Sequence, residues 1–180
     1  MAIDERIEET VEVLLRTAEA LVRAGASRPA PRGMPAFPPM VVGVQEAHED
    51  VVLCEDGRQR VPAARFVLER GATAAVVLYD GYVTNYDATL PCPDCLGTDA
   101  TTADADCEQC RGLGGTRTGG GRRDAIVVLA LRRDKKPTRI VTRSYTRAAG
   151  RVLFEAKMVA EIPVGTETFS SFAGVLDDLK

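Results

Sequence analysis

"DAIVVLALRRDKKPTRIVTRSYTRAAGRVLFEAKMVAE" occupies Asp124 to Glu161 and decides the fold. It contains three runs of strand type, "DAIVVLAL", "PTRIVTRSYTR" and "RVLFEAKMVAE", rich in β-branched and aromatic residues. Only Arg132 to Lys136, with the turn at Asp134-Lys135-Lys136, and Ala148-Ala149-Gly150 separate them. Connections this short cannot carry a crossover, so the three strands form an antiparallel meander.

Upstream, "ATAAVVLYDGYVT" reads as a further buried strand, and Met40 to Val44 with Val51 to Cys54, parted by the polar "QEAHED", reads as a hairpin. Between them, "VPAARFVLERG" starts with Pro62 at a first helical position and stops at Gly71, which predicts a helix over Pro62 to Arg70. At the amino end, Ile3, Ile7, Val11, Leu14, Ala18 and Leu21 recur at spacings of three and four and form one helical stripe. Acidic Asp4, Glu5 and Glu8 suit the start of that helix, and Arg16, Arg23 and Gly25 suit its end. Five prolines between Pro29 and Pro39 exclude helix or central strand there, leaving an extended linker or a strap over the fold. Ser170 or Ser171 can cap a last helix through Leu179.

The predicted class is α+β: an antiparallel sheet of five to six strands with helices packed on it, and a zinc-ribbon-like insertion between two strands. Residues 1–25 are read as an N-terminal helix, 26–40 as a proline-rich linker, and 41–180 as the α+β domain with its insertion at 91–121. This element order is similar to that of roadblock, longin and profilin-like modules. "VVLYDGYVT", "RRDAIVVLALRRD", "RSYTR" and "GRVLFEA" together resemble a pattern of bacterial α+β proteins without an assigned activity. Both resemblances imply a fold and no chemistry.

The insertion holds four of the five cysteines as two Cys-x-x-Cys pairs, Cys92 with Cys95 and Cys107 with Cys110. Two such turns supply the four thiolates of a tetrahedral structural zinc site. Gly97 and Gly112, two places beyond each pair, can take a positive φ and turn backbone N–H groups toward the sulfurs. "CPDCLGT" and "CEQCRGLG" resemble the Cys-x-x-Cys-x-Gly knuckles of zinc ribbons and DnaJ-type chaperones, with Thr98 where a second glycine would stand in the first. The expectation is one structural zinc ion on Cys92, Cys95, Cys107 and Cys110; an iron centre on the same ligands, unmetallated thiols or disulfides are the alternatives. Four thiolates close the shell, which argues against catalytic zinc. Cys54 is read as a small core residue, His48 as an exposed turn residue, and Asp104, Asp106 and Glu108 as a solvated acidic loop.

Net charge is −3, unevenly spread. Residues 1–110 carry 9 basic against 19 acidic side chains, and residues 111–157 carry 13 against 3. The basic block either meets an anionic partner or pairs with the acidic N-terminal half. Arg111, Arg117, Arg122 and Arg123 stand among six glycines in "RGLGGTRTGGGRR", either an anion-binding loop or a flexible return to the sheet. Arg139, Val141, Arg143 and Tyr145 alternate onto one face of a strand.

Three functions follow as expectations. The first is a non-enzymatic protein–protein interaction or assembly module with a zinc-stabilised protrusion, its partner an unknown protein, a homodimer or a larger assembly. The second is a nucleic-acid-binding adaptor using the zinc module and the basic segment 111–157. The third is an enzyme working through carboxylates near Asp80 and Asp124, with Tyr79, Tyr82, Tyr86 and Asp87 nearby. No 18-residue apolar run and no basic-then-apolar leader occur, so the expected location is cytoplasmic with no membrane contact.

Overall fold

The computed structural model describes residues 2–25, 35–87, 94–96, 102–107, 116–134, 136–148 and 151–162; for 82–87, 116–123 and 148 it describes the backbone only. The order is α1 (Ile3–Ala24), β1 (Met40–Val44), β2 (Glu49–Leu53), a 3-10 turn (Gly57–Gln59), α2 (Arg60–Glu69), β3 (Ala74–Asp87), β4 (Thr116–Arg132), β5 (Thr138–Ala148), β6 (Arg151–Phe154) and β7 (Met158–Ile162). The strands form one sheet in the order β2-β1-β3-β4-β5-β6, with β7 also on β5. It is an α+β fold with an open, antiparallel sheet.

β6 and β7 lie along the same edge of β5. Tyr145 faces Phe154, and three positions earlier Thr142 faces Met158, so Glu155, Ala156 and Lys157 stand opposite only Arg143 and Ser144. The extra residue is a β-bulge, and it breaks what the sequence presents as one strand. The hairpin is tighter than "QEAHED" implies: Gln45 N–H donates to the His48 carbonyl (3.1 Å), and β2 starts at Glu49. The second helix starts two residues early because Asp56 accepts from the N–H groups of Arg58 and Gln59 and nucleates a 3-10 turn that runs into it. β4 starts at Thr116, so "TRTGGGRR", read above as a loop, is strand.

α1 lies on one face of the sheet. Ile7, Val11, Leu14, Leu15, Ala18 and Val22 pack on Val42 and Val44 of β1, Ala74, Val76 and Leu78 of β3, Ile126, Val128 and Ala130 of β4, and Val141 and Tyr145 of β5. Each strand contributes alternate residues, as the period of two requires. Phe37, 3% exposed, joins this core from the end of the proline-rich stretch, which therefore straps the fold where it is described. α2 covers the opposite face of β1: a Cβ on Gly43 would stand 2.8 Å from the Val67 Cβ. Cys54 is buried at 2% exposure, as a core residue should be. Among the described residues no helix is long and apolar enough to cross a membrane.

The chain divides into two compact units, Met1–Gly81 with Asp124–Lys180, and Tyr82–Arg123. The last helix expected after Ser170 lies outside the described residues, as do 26–34 of the linker.

Candidate functional site

Two cysteines of the expected metal centre, Cys95 and Cys107, fall among the described residues; Cys92 and Cys110, with Gly97 and Gly112, fall outside them. Both described cysteines are half-buried thiols. Cys95 sits in a turn, and Leu96 directly after it has φ +59°. A left-handed leucine costs about 1–2 kcal/mol, so the turn around Cys95 imposes it. The Gly97 at which the sequence places that freedom lies outside the described residues. Cys107 follows a local turn in which Asp104 Oδ1 accepts from the Asp106 N–H (3.0 Å) and the Asp104 carbonyl accepts from the Cys107 N–H (3.1 Å). Asp104 thus shapes the approach to Cys107, a local use of a short acidic side chain. Among the described residues no three His, Cys, Asp or Glu side chains gather as a metal-binding group.

The carboxylate candidates come together on the α1 face. The Tyr145 hydroxyl donates to Asp80 Oδ1 at 2.7 Å, and the Ala36 N–H of the strap donates to Asp80 Oδ2 at 2.5 Å. Asp124 is the cross-strand partner of Tyr145. Burial, then the hydrogen bond to Asp80 and its charge, push the Tyr145 phenol well above the usual range, with Asp124 adding to the effect and Arg147 opposing it. Asp80 thus joins β3, β5 and the strap through both of its oxygens. Tyr79 points to the other face, under the Arg60 guanidinium 4.1 Å from its ring centroid, and burial raises its phenol as well. Of Tyr82, Tyr86 and Asp87 only the backbone, in β3, is described.

The basic meander meets the acidic helix. Arg132 binds Asp4 (2.5 Å) and Asp134 (2.8 Å), Arg139 binds Glu8 (2.5 Å), Arg143 binds Glu19, and Lys157 binds Glu12. Asp4, Glu8, Glu12 and Glu19 follow one flank of α1 at helical spacing, and their partners come from β4, β5 and the bulge. Arg143 also packs on Phe154, which Arg23 covers as well. The arginine row of β5 is therefore not an open sheet face; α1 lies over it. The sequence offered both halves of this pairing as a charge asymmetry but not the register that joins them.

His48 is exposed in the β1–β2 hairpin, as read from the sequence. The basic loop residues Arg111, Arg117, Arg122 and Arg123 lie outside the described side chains. Comparison of the chain with protein-family models, with curated proteins and with solved structures finds no match.

Proposed function

We propose that this chain is a non-enzymatic protein–protein interaction or assembly module, with one structural zinc ion on Cys92, Cys95, Cys107 and Cys110 and the segment 91–121 as a contact element. The observation that carries the reading is the row of acids on α1. It occupies Arg132, Arg139, Arg143 and Lys157, four of the cations that an adaptor for nucleic acid could present from the meander. The engagement of both Asp80 oxygens by Tyr145 and the strap favours a structural part for that carboxylate over acid–base work. The zinc itself is supported by ligand type and spacing.

Native mass spectrometry of protein purified without chelator tests the metal. One zinc per chain, lost in Cys95→Ser, is expected; a metal-free mass short by four hydrogens would mean two disulfides and overturn it. A photo-crosslinking residue at exposed Thr102, compared with one at Glu69 on α2, tests the contact. A polypeptide adduct at 102 that disappears in Cys95→Ser is expected. A nuclease-sensitive adduct there would establish the nucleic-acid reading instead.

A further inference from the structure

Among the described residues, the β2 edge of the sheet combines unpaired backbone, exposed apolar side chains and a fringe of acids. Gln45 N–H bonds to the His48 carbonyl and Cys54 N–H to the Pro39 carbonyl, at the two ends of the β1–β2 ladder. Alternation along an antiparallel pair then turns the N–H and C=O groups of His48, Asp50, Val52 and Cys54 toward β1, and those of Glu49, Val51 and Leu53 outward. No described residue pairs with that outer row.

The same three residues point their side chains to the α1 face, since they stand opposite Val44, Val42 and Met40. Val51 is 59% and Leu53 65% exposed. α1 borders this edge: Arg6 donates to the Glu46 carbonyl, and Thr10 donates to Glu49 (2.8 Å). Val13, Thr17 and Leu21 continue that flank at helical spacing, and Val13 and Leu21 are 48% and 41% exposed. Four large apolar side chains thus line a strip between a helix flank and an open strand. Single exposed apolar residues need no explanation, but a row of them beside free strand hydrogen-bonding groups is a template for another strand.

Charge selects the occupant. Residues 45–58 carry Glu46, Glu49, Asp50, Glu55 and Asp56 against Arg58 alone, and none of these acids is in an ion pair among the described residues. A second copy would set this acidic fringe against its own like, which cross-strand pairing disfavours. A basic strand is complementary to it.

We propose that β2 is a docking edge for an extended segment of a partner protein, with apolar side chains toward Val13, Leu21, Val51 and Leu53 and lysine or arginine facing Asp50 and the acids at either end. Backbone bonds to Glu49, Val51 and Leu53 supply the pairing, and the apolar strip and acidic fringe supply the choice of sequence. This rests on the reading of the chain as an interaction module, but on a different surface from the cysteine segment.

The probe is a synthetic seven-residue-scale peptide alternating lysine and valine, added to the full chain, with a scrambled peptide of equal composition as control. Amide exchange of Glu49, Val51 and Leu53 slows on binding, while that of Asp50 and Val52, already bonded to β1, changes little. The scrambled peptide binds at least tenfold more weakly. Val51→Pro removes an outward N–H without touching the β1 ladder and weakens binding tenfold or more; Leu53→Lys does the same by charge and serves if the proline variant does not fold. Unchanged exchange at the three amides under saturating peptide, or equal binding by both variants, would overturn the proposal. So would a dimer of the free chain in light scattering that Leu53→Lys dissociates, since the edge would then serve a second copy. Cys95→Ser retains peptide binding, so failure of the zinc reading and failure of this one are separable.

Discussion

The Tyr145 hydroxyl and Asp80 Oδ1 stand 2.7 Å apart, a bond between strands β5 and β3 that bridges β4, while the second Asp80 oxygen holds the Ala36 N–H of the strap. Tyr145 is 2% exposed and its ring packs at a tilt on Phe154, with centroids 5.9 Å apart. The entire end of the α1 face is thereby organised around one phenol.

Tyr145→Phe removes this bond and leaves Asp80 one partner short, which should cost about 1–2 kcal/mol. The pH dependence has a definite sign. Burial first, and the bond to Asp80 second, raise the phenol above its unfolded value of about 10. Its contribution is therefore complete below pH ~10 and is lost as pH rises further. Urea denaturation from pH 8 to 11 should show the wild type losing stability above pH 10 more steeply than Tyr145→Phe. Tyr79 retains its share of that decline in both proteins. Parallel curves over the whole range would refute the account.

The acid limb should depend on Arg132. Its guanidinium holds Asp134 well below the usual carboxylate range, with the Lys136 N–H assisting, and it lowers Asp4 by the same means. Depressed carboxylates contribute stability above their unfolded value of about 4 and lose it as pH falls through their folded values. Arg132→Gln should lower the melting temperature by a few degrees at pH 6, and the gap should close toward pH 2. Both carboxylates face solvent, so 1 M salt should narrow the gap at pH 6 as well.

Most of the architecture is legible in the chain because period and punctuation suffice for it. The stripe from Ile3 to Leu21 gives α1, and the short turns after Leu131 and Arg147 give the meander. What escapes is set by contacts distant in sequence. The bulge at Glu155–Lys157 depends on the register against β5, and the strap depends on Asp80, 44 residues from Ala36. The basic block reads either as a site for an anionic partner or as a match for the acidic N-terminal half, and only α1, more than 100 residues earlier and laid across the arginine row of β5, chooses between the two. At the cysteine segment the pairs are plain in the sequence. The left-handed turn is not, because it falls on leucine, a residue that gives no warning of it.

Gly43 carries information that a glycine inside "MVVGV" only hints at. A Cβ there would meet the Val67 Cβ at 2.8 Å and the Ala72 Cβ at 3.3 Å, so α2 approaches β1 as closely as backbone alone permits. Gly43→Ala should cost about 1–3 kcal/mol by overpacking. Val67→Ala, which costs stability alone, keeps the Val67 Cβ but removes the Cγ1 that would stand 3.3 Å away, and so should remove part of that penalty in the double variant. The cycle is read from denaturation midpoints, and strict additivity would mean that the two sites do not touch.

Leu96 offers a test of the turn around Cys95 that leaves every cysteine in place. Its φ of +59° is a conformation glycine adopts freely, and its side chain is 72% exposed, so truncation loses little packing. Leu96→Gly should relieve about 1 kcal/mol of local strain. Leu96→Val should add to it, because a β-branched side chain is the least tolerant of left-handed backbone. If zinc holds this turn closed, the two variants should move the metal affinity in opposite directions, glycine upward and valine downward, in competition with a chromophoric chelator. Far-ultraviolet circular dichroism of the sheet should stay constant across the series. Equal affinities in all three proteins would separate the backbone at Leu96 from the metal and leave its conformation as a property of the turn alone.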